Sequence, residues 1–455
     1  MKLSGFPLLV ASSLLIAAGM RAETRPLYGG TLRASTIIAP VSLDPADASQ
    51  PDSVARGNLT RLMFDTLVVM DGQGRLKPAL AVSWRAESGN RRWQFWLRQG
   101  VHLQDSTSLT SETVAASLRT ANPAWKVFAA TDSIVIESDL SAPDVPMQLA
   151  RARNAIAKRS GGKPVGSGPF RVVDFESGKK LSLAAEEAYW GGRAFVDAIE
   201  IDLGRNGRDQ LINLDLGKTD VAEVRAEQAH RAVVEGRRVM SSAPQELMTL
   251  VFSGDLQSAD EAKLREALAL SIDRASIRSV ILQGIGEPTA AILPEWISGY
   301  AFVFPAEQNL QRARQLRNEV HQTPTWNLAY EGDDPLARVI AERIALNARD
   351  AGITLQTGTT SNPTLRLLRI SLASVDARVA LTAAAGVMGV VMPRFSDGFT
   401  EDIYQAENAI LQTRAVIPLF QLPACYVVGP MVHDARQDRA GNWHLENVWL
   451  GSKTQ

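Results

Sequence analysis

Apolar positions recur along the chain at the spacing of short amphipathic helices. Between residues 53 and 70 most apolar side chains fall on one face, which predicts a helix. Residues 336–351 show this spacing more strongly, and Asp334 is predicted to cap that helix, Pro335 to take its first position and Gly352 to end it. Its predicted apolar stripe consists of Leu336, Val339, Ile340 and Ile344. The chain therefore contains at least two helices that need a packed partner.

Strands are predicted where apolar and polar residues alternate or where β-branched residues cluster. The predicted strands cover residues 31–34, 92–101, 133–137, 170–174, 180–184, 198–203, 246–252, 353–357 and 443–450. Ser177 and Gly178, between the strands 170–174 and 180–184, predict a hairpin. Further helices are predicted to begin at Thr110 or Ser111 and to cover residues 259–275. The 14-residue run 379–392, mostly Ala, Gly and Val, is interpreted as a buried strand and turn. Intermixed helices and strands predict a mixed α/β or α+β fold with more than one sheet.

The first 22 residues have the layout of a cleaved signal peptide. Lys2 gives a basic start, residues 6–18 are apolar, and Ala22 precedes the polar residues 23–26. A membrane anchor or a buried first helix is the alternative interpretation. No cysteine lies near the cleavage point, so we expect a free periplasmic protein and not a lipoprotein. No other run approaches the roughly 20 apolar residues of a membrane span, so none is expected in the mature chain.

Composition narrows the classes of function. The 455 residues contain 48 Lys and Arg against 49 Asp and Glu, a formal net charge of −1. Nucleic acid is not expected as a partner, because phosphate binding needs a basic surface. Cys425 is the one cysteine, which excludes an intrachain disulfide or a thiolate zinc cluster, and it is predicted to be a buried, inert thiol.

Catalytic motifs find no support in the sequence. The five histidines form no HExxH or other close metal pair, and Ser167 is flanked by glycines without forming GxSxG. The glycines at 161–162 precede Lys163, but the spacing is not that of a phosphate loop. We therefore expect no enzyme, no cofactor and no metal site.

Several short strings follow one another in a characteristic order from about Gly29 to Leu450. The most specific is PVGSGPF at residues 164–170, which is followed by YWGG at 189–192. The others include GGTL at 29–32, SLDP at 42–45, FDTL at 64–67, LKPALA at 76–81, RWQFWLRQGV at 92–101, KTDVA at 218–222 and LREAL at 264–268. Together they resemble the family 5 extracellular solute-binding proteins, the peptide- and nickel-type periplasmic receptors of ABC importers.

The resemblance implies an α/β, two-lobed periplasmic-binding-protein-like fold of type II, large cluster, with mixed sheets and a hinge. Lobe 1 is then expected to combine residues 23–47, 165–245 and 415–455, with a small domain at 48–164 attached, and lobe 2 to cover 246–414. It also implies that the lobes close around a small-molecule or peptide ligand and that the closed form docks on an inner-membrane ABC permease.

Two regions depart from the family. The segment between Thr113 and Pro164 is short for its small domain, and the second lobe is thin between Arg378 and Thr413. Peptide-binding members carry an aspartate in that lobe for the peptide amine, whereas residues 380–386 here contain no carboxylate. A peptide ligand is therefore not assured by the resemblance.

The candidate ligand-binding residues are Ser49 and Gln50 after the first strand, Ser253 near the hinge, and Thr382 and Ala384 in the second lobe. A receptor is expected to bind a peptide, sugar, opine or metal chelate in an open, polar cleft. A degenerate member acting as an interaction or scaffold protein would have a shallow or filled cleft. An exported hydrolase would need a nucleophile beside a histidine there.

Overall fold

Strands and helices alternate throughout the residues that the computed structural model describes, which are 25–50, 53–161, 163–332, 334–360, 362–372, 374–393 and 400–451. The predicted signal peptide, residues 1–22, lies outside them. The strands are β1 Thr31–Ser35, β2 Val68–Met70, β3 Leu76–Pro78, β4 Ala81–Ala86, β5 Arg92–Leu97, β6 Lys126–Ala129, β7 Ser133–Glu137, β8 Lys158–Ser160, β9 Lys163–Val165, β10 Phe170–Glu176, β11 Lys180–Ala185, β12 Ala198–Asp202, β13 Val221–Val224, β14 Arg238–Phe252, β15 Glu287–Pro288, β16 Thr325–Ala329, β17 Thr354–Gly358, β18 Leu365–Ser371, β19 Val416–Val428, β20 Val432–His433 and β21 Trp449–Leu450. The helices are α1 Val54–Met63, α2 Ser111–Ala121, α3 Val145–Leu149, α4 Gly207–Asp215, α5 Ala226–Val234, α6 Ala259–Ser271, α7 Arg274–Ser276, α8 Glu295–Ser298, α9 Leu310–Asn318, α10 Pro335–Asp350, α11 Ala377–Met388 and α12 Thr400–Gln412.

One mixed sheet runs through both lobes. Its strand order is β10-β11-β12-β1-β13-β19-β14-β18-β16-β17, and β15 pairs with β19 at one side. The strands β10 to β13 with β1 form one half, and β16 to β18 form the other. The long antiparallel strands β14 and β19 pair with each other and connect the two halves. Strand β19 also pairs with β13 of the first half, and β14 also pairs with β18 of the second half.

The ladder between β14 and β19 is broken near its middle. Its register shifts between Ser241 and Pro244, and again between Pro244 and Glu246. Pro244 stands opposite Pro423 at this point, so this rung contains two residues that have no backbone N–H to donate. A further register shift lies between Met248 and Thr249, toward the other end of the ladder.

Separate hydrophobic clusters lie on the two halves of the sheet. Around β14, β16 and β18 the cluster includes Leu268, Trp326 and Ile340, contributed partly by α6 and α10. Around β1, β11 and β12 it includes Phe64 and Tyr426. This division is consistent with two lobes, although the lobe boundaries at residues 246 and 414 stay a prediction.

The expected small domain is built on a four-stranded antiparallel sheet in the order β4-β5-β7-β6. Helix α2 packs on it through Val114 and Leu118, which have no exposed surface. Thr110 caps α2 by accepting a hydrogen bond from the backbone N–H of Thr113, so the predicted start of this helix is confirmed.

The strings that suggested the family meet at one buried place. The Asp65 carboxylate accepts hydrogen bonds from Ser167 Oγ at 2.8 Å, Trp190 Nε1 at 2.8 Å and Tyr189 Oη at 3.2 Å. A Cβ atom on Gly168 would lie 2.5 Å from the Met63 carbonyl carbon, closer than any real Cβ contact. The glycine-rich string therefore lets the chain lie directly against the end of α1.

Several sequence-based predictions are confirmed by the structure. Helix α10 begins after Asp334, whose side chain accepts from the N–H groups of Leu336 and Ala337, and Pro335 is its first residue. The hairpin β10–β11 turns at Ser177 and Gly178 as its sequence indicated. Described residues form no helix both long and apolar enough to cross a lipid bilayer.

Other predictions were wrong, chiefly at element boundaries. Helix α1 ends at Met63, and Val68 to Met70 pair with β3 instead of continuing the helix. Val339, placed in the apolar stripe of α10, is 46% exposed. Residues 443–450 form a short 3₁₀ turn and the two-residue strand β21, not one continuous strand.

The largest error concerns residues 379–392. They belong mostly to α11, which Asp376 caps by accepting from the N–H of Val379 and which ends at Gly389 with φ 73°. Alanine has the highest helix propensity, and a short apolar run cannot be assigned to helix or strand from periodicity alone. The N-cap and the glycine were the local signals that would have decided it.

Candidate functional site

A cleft lies between the lobes and consists of three adjoining cavities. The outer cavity has a volume of about 530 Å³, the inner cavity about 250 Å³, and a narrow passage of about 70 Å³ adjoins both. The passage shares Arg56 with the outer cavity and Val54 with the inner one. The three cavities are therefore neighbours, and together they extend from the start of α11 to the strands β13, β14 and β19.

The loop after β1 forms one wall of the outer cavity, and Arg56 makes several hydrogen bonds to its backbone. Arg56, at the start of α1, donates hydrogen bonds to the backbone carbonyls of Asp44, Pro45, Asp47 and Gln50 at 2.8 to 3.3 Å. Backbone carbonyls at a guanidinium fork fix a loop in one geometry, so residues 44–50 present a defined surface to the cleft.

Of the two candidates in this loop, Gln50 lines the outer cavity. Its side-chain amide donates to the Ser42 carbonyl and to Asp47 Oδ2, both at 3.1 Å, and its Oε1 accepts from the Val41 N–H. Ser49 is exposed, and its hydroxyl donates to Asp47 Oδ1 at 2.7 Å. Both side chains thus support the loop, and Gln50 also faces the cleft.

Of the candidates in lobe 2, Thr382 lines the same cavity from the opposite side. Its hydroxyl donates to the Arg378 carbonyl at 2.7 Å, one turn earlier in α11. Ala384 has no exposed surface and packs in the core beneath α11. Ser253 is exposed and lines none of the three cavities. Ala384 and Ser253 therefore do not face the cleft in this conformation.

Arginines dominate the charged lining of the outer cavity. Its described lining includes Arg56, Arg151, Arg153 and Arg378 together with two carboxylates, Asp47 and Asp144. Arg153 donates to the Ala121 carbonyl at 3.2 Å and makes no ion pair with a described carboxylate. This side chain brings a positive charge to the cleft that remains available to an anion.

The inner cavity carries a buried network of charges. Arg369 of β18 approaches Asp334 Oδ2 at 3.2 Å, Glu246 Oε2 at 3.3 Å and Glu227 Oε2 at 3.8 Å. Arg225 also reaches Asp334 Oδ2 at 3.2 Å. Since Arg225 follows β13 and Asp334 lies between β16 and α10, this network connects segments from the two halves of the sheet.

Glu223 and Cys425 also line the inner cavity. Burial raises the pKa of Glu223 to about 7, an effect that the backbone hydrogen bond from Ile37 opposes and the nearby Glu246 charge increases. Burial also raises the pKa of the Cys425 thiol to about 11, in keeping with the buried, inert thiol that was predicted.

Sequence reasoning missed the charged residues of the cleft. Arg153, Arg378, Glu223 and Arg369 come from segments that are far apart in the chain, so no local spacing connects them. Glu223 directly follows the KTDVA string at 218–222, and this was the one local signal near it. Arg378 stands in the first turn of a helix that was taken for a strand.

Two lobes built on a shared sheet, with a polar cleft between them, define a two-lobed binding protein of the periplasmic type. Residues 75–389 match the "Bacterial extracellular solute-binding proteins, family 5 Middle". The chain belongs to this family of solute-binding proteins.

Similar proteins come from several bacteria. The nickel-binding protein NikA of Staphylococcus aureus is 23% identical over 310 residues, which cover 64% of this chain and 63% of that protein. The peptide transport periplasmic protein SapA of Salmonella typhimurium is 25% identical over 372 residues, covering 68% and 67%. The chain thus aligns with about two thirds of the length of these relatives.

Solved structures share the fold over nearly the whole chain. A dipeptide binding protein from Pseudoalteromonas sp. SM9913, in complex with Met-Leu, superposes with a TM-score of 0.78 at 15% identity, covering 92% of this chain and all of that one. NikA from Staphylococcus aureus in complex with Ni(L-His)₂ superposes with a TM-score of 0.73 at 17% identity, covering 92% and 99%. The predicted two-lobed α/β fold with mixed sheets is therefore confirmed.

Proposed function

We propose that the protein is a periplasmic receptor that binds a small solute between its lobes and delivers it to an inner-membrane ABC-type importer. The observation that carries this proposal is the outer cavity, whose walls come from both lobes and which is lined by charged and polar groups. A volume of about 530 Å³ suits a small solute, since ligand cavities typically measure about 300–1,000 Å³. An open cavity of this kind favours a receptor over the scaffold alternative.

The charged lining favours a ligand with an anionic group. Arg153 and Arg378 stand on opposite walls of the outer cavity, Arg153 beside the small domain and Arg378 on α11 of lobe 2. A carboxylate between them would receive donors from both walls, and guanidinium–carboxylate hydrogen bonds are among the strong ones. Relatives named for peptides and for nickel indicate that the family accommodates different solutes, so the anionic group and not a particular compound is the proposed common element.

Closure of the lobes is the proposed mechanism. A ligand held from both walls binds the closed state more tightly than the open state and shifts the population toward it. The strands β14 and β19 are the proposed hinge, because they connect both halves of the sheet and their ladder is broken beside the cleft. Gln50 and Thr382 are the proposed contacts among the sequence-based candidates, since both face the outer cavity.

The hydrolase alternative has less support. The described residues lining the three cavities include Cys425 and several serines but no histidine, so a nucleophile–histidine pair is not assembled there.

The test is a thermal-shift screen of carboxylate-bearing solutes, followed by calorimetric titration of each hit. A true ligand is expected to give a saturable stabilisation that reaches about 2.7 kcal/mol at one hundred times its Kd. Arg153→Gln is expected to weaken binding of every carboxylate hit about tenfold or more, because a charged hydrogen bond is lost. Arg338→Gln is the matched control, since Arg338 lies outside the cleft and pairs with Glu342 on the surface. No stabilisation by any solute in a broad library would contradict the proposal.

A further inference from the structure

Carboxylates outnumber guanidinium groups around the inner cavity. Four carboxylates, those of Glu223, Glu227, Glu246 and Asp334, surround the guanidinium groups of Arg225 and Arg369. Glu223, Glu246 and both arginines line the cavity itself. Two guanidinium groups therefore stand against four carboxylates, and burial raises the pKa of both Glu223 and Glu227.

Both arginines are already engaged. Arg369 faces three carboxylates within 3.8 Å, and its side chain is only 10% exposed. The Nη1 of Arg225 lies 3.2 Å from Asp334. Neither guanidinium forms an ion pair with Glu223.

Glu223 is the one of these four carboxylates that has no ion-pair partner among the described residues. Its Oε2 accepts a hydrogen bond of 2.8 Å from the Ile37 N–H, and no described lysine or arginine lies within ion-pair distance of it. Burying a carboxylate that has no ion-pair partner is costly, so burial raises the pKa of this group, and the more distant charge of Arg225 only partly opposes the effect. A cation in the cavity would remove this cost.

Tyr426 provides an independent observation. It stands opposite Glu223 in the pairing of β13 with β19, has no exposed surface and lines the inner cavity. Its hydroxyl makes no hydrogen bond of ordinary distance and angle, although the Asn58 and Trp443 side chains lie close to it, so it can still receive a donor or acceptor. A ligand group beside Glu223 could supply it.

We propose that Glu223, assisted by Glu246 and Tyr426, forms a subsite for an ammonium group of the bound solute. The inference rests on the proposed receptor function and adds the polarity of the ligand: its anionic group lies among the arginines of the outer cavity and its cationic group at the inner end. An ammonium donates to acceptors on three sides, which matches two carboxylates and a phenol oxygen. Glu223 of β13 and Glu246 of β14 then supply the negative charge for the ammonium group, which residues 380–386 of lobe 2 do not supply because they contain no carboxylate.

The test compares one probe with its blocked form. The probe is a mixture of natural amino acids and dipeptides, and the blocked form is the same mixture after N-acetylation, which keeps the carboxylate and removes the ammonium. Thermal-shift titration gives the apparent affinity of the wild-type protein, Glu223→Gln and Glu200→Gln for each mixture. Glutamine can still accept from the Ile37 N–H, so the variant keeps its local support. Glu200 pairs with Lys180 outside the cleft and serves as the control.

Acetylation is expected to weaken binding to the wild-type protein at least tenfold. Glu223→Gln is expected to weaken binding of the free amines by a similar factor and to leave the acetylated mixture unchanged, and Glu200→Gln to change neither. The subsite is refuted if the wild-type protein binds both mixtures equally, if Glu223→Gln weakens both alike, or if only amine-free carboxylates bind. In each of these cases a carboxylate receptor survives, whereas no binding of any probe or library solute overturns the receptor function as well.

Discussion

Replacing Asp334 tests how much the buried charge network contributes to stability. Its side chain, only 2% exposed, caps α10 through the N–H groups of Leu336 and Ala337 and also faces Arg225 and Arg369. Asparagine preserves the cap, because it is as good an N-cap as aspartate, but it removes the charge. Alanine removes both contributions.

The two contributions can be estimated from these contacts. Breaking one partner of a buried ion pair costs about 3–5 kcal/mol. Arg369 retains Glu246 and Glu227, so we expect Asp334→Asn to lower the free energy of unfolding by about 3 kcal/mol, at the lower end of that range. Loss of the cap adds about 1 kcal/mol, which gives about 4 kcal/mol for Asp334→Ala.

The assay is urea unfolding monitored by circular dichroism and by tryptophan fluorescence, with unchanged m values as the condition for comparison. Asp376 is the matched control, since it caps α11 through the Val379 N–H and makes no ion pair with a described residue. We expect Asp376→Asn to be nearly neutral and Asp376→Ala to cost about 1 kcal/mol. If Asp334→Asn is as stable as the wild type, or if the asparagine and alanine variants at 334 are equally unstable, the reasoning is refuted.

Three further predictions concern the buried groups elsewhere. Burial raises the pKa of Asp65 from 3.8 to about 6, so the wild-type protein is expected to gain about 2.5 kcal/mol of unfolding free energy relative to Asp65→Asn as the pH falls from 8 to 4. A pH-independent difference between the two proteins would contradict this. Gly168→Ala is expected to cost several kcal/mol in the same assay because its Cβ would meet the Met63 backbone, whereas Gly254→Ala, with nothing within 4 Å, is the control and should cost less than about 1 kcal/mol. Cys425 is 2% exposed with a pKa raised to about 11, so a thiol reagent at pH 8 should label it only in urea, and rapid labelling of the native protein would speak against the described burial.

Local sequence signals predicted the elements whose ends are marked by specific residues. Asp334, Pro335 and Gly352 delimited α10, and alternation with Ser177–Gly178 predicted the hairpin of β10 and β11. The ordered strings predicted the fold as a whole, because they occupy positions where the backbone needs them, such as Gly168 against Met63.

The cleft was less accessible to prediction. Gln50 and Thr382 do line one cavity from opposite sides, but their contact with a solute stays a prediction. Glu223 and Tyr426 become neighbours only when β13 pairs with β19 across some 200 residues of chain, and periodicity carries no information about such pairing. The prediction for Ala384 failed because its segment was interpreted as a strand. In the helix α11, this residue packs in the hydrophobic core and does not face the cleft.

The opposed prolines 244 and 423 affect how the protein opens on slow timescales. The rung they occupy lacks both N–H donors, so hydrogen bonds on one side of it can break without those on the other side following. The strands β14 and β19 are then each divided between two cooperative units. Hydrogen exchange should therefore report two levels of protection along each of these strands. Gln245 and Ala424, next to these prolines, line the inner cavity, so a solute bound there would contact residues at the boundary between the two units. A bound solute should therefore slow amide hydrogen exchange on both sides of this boundary together.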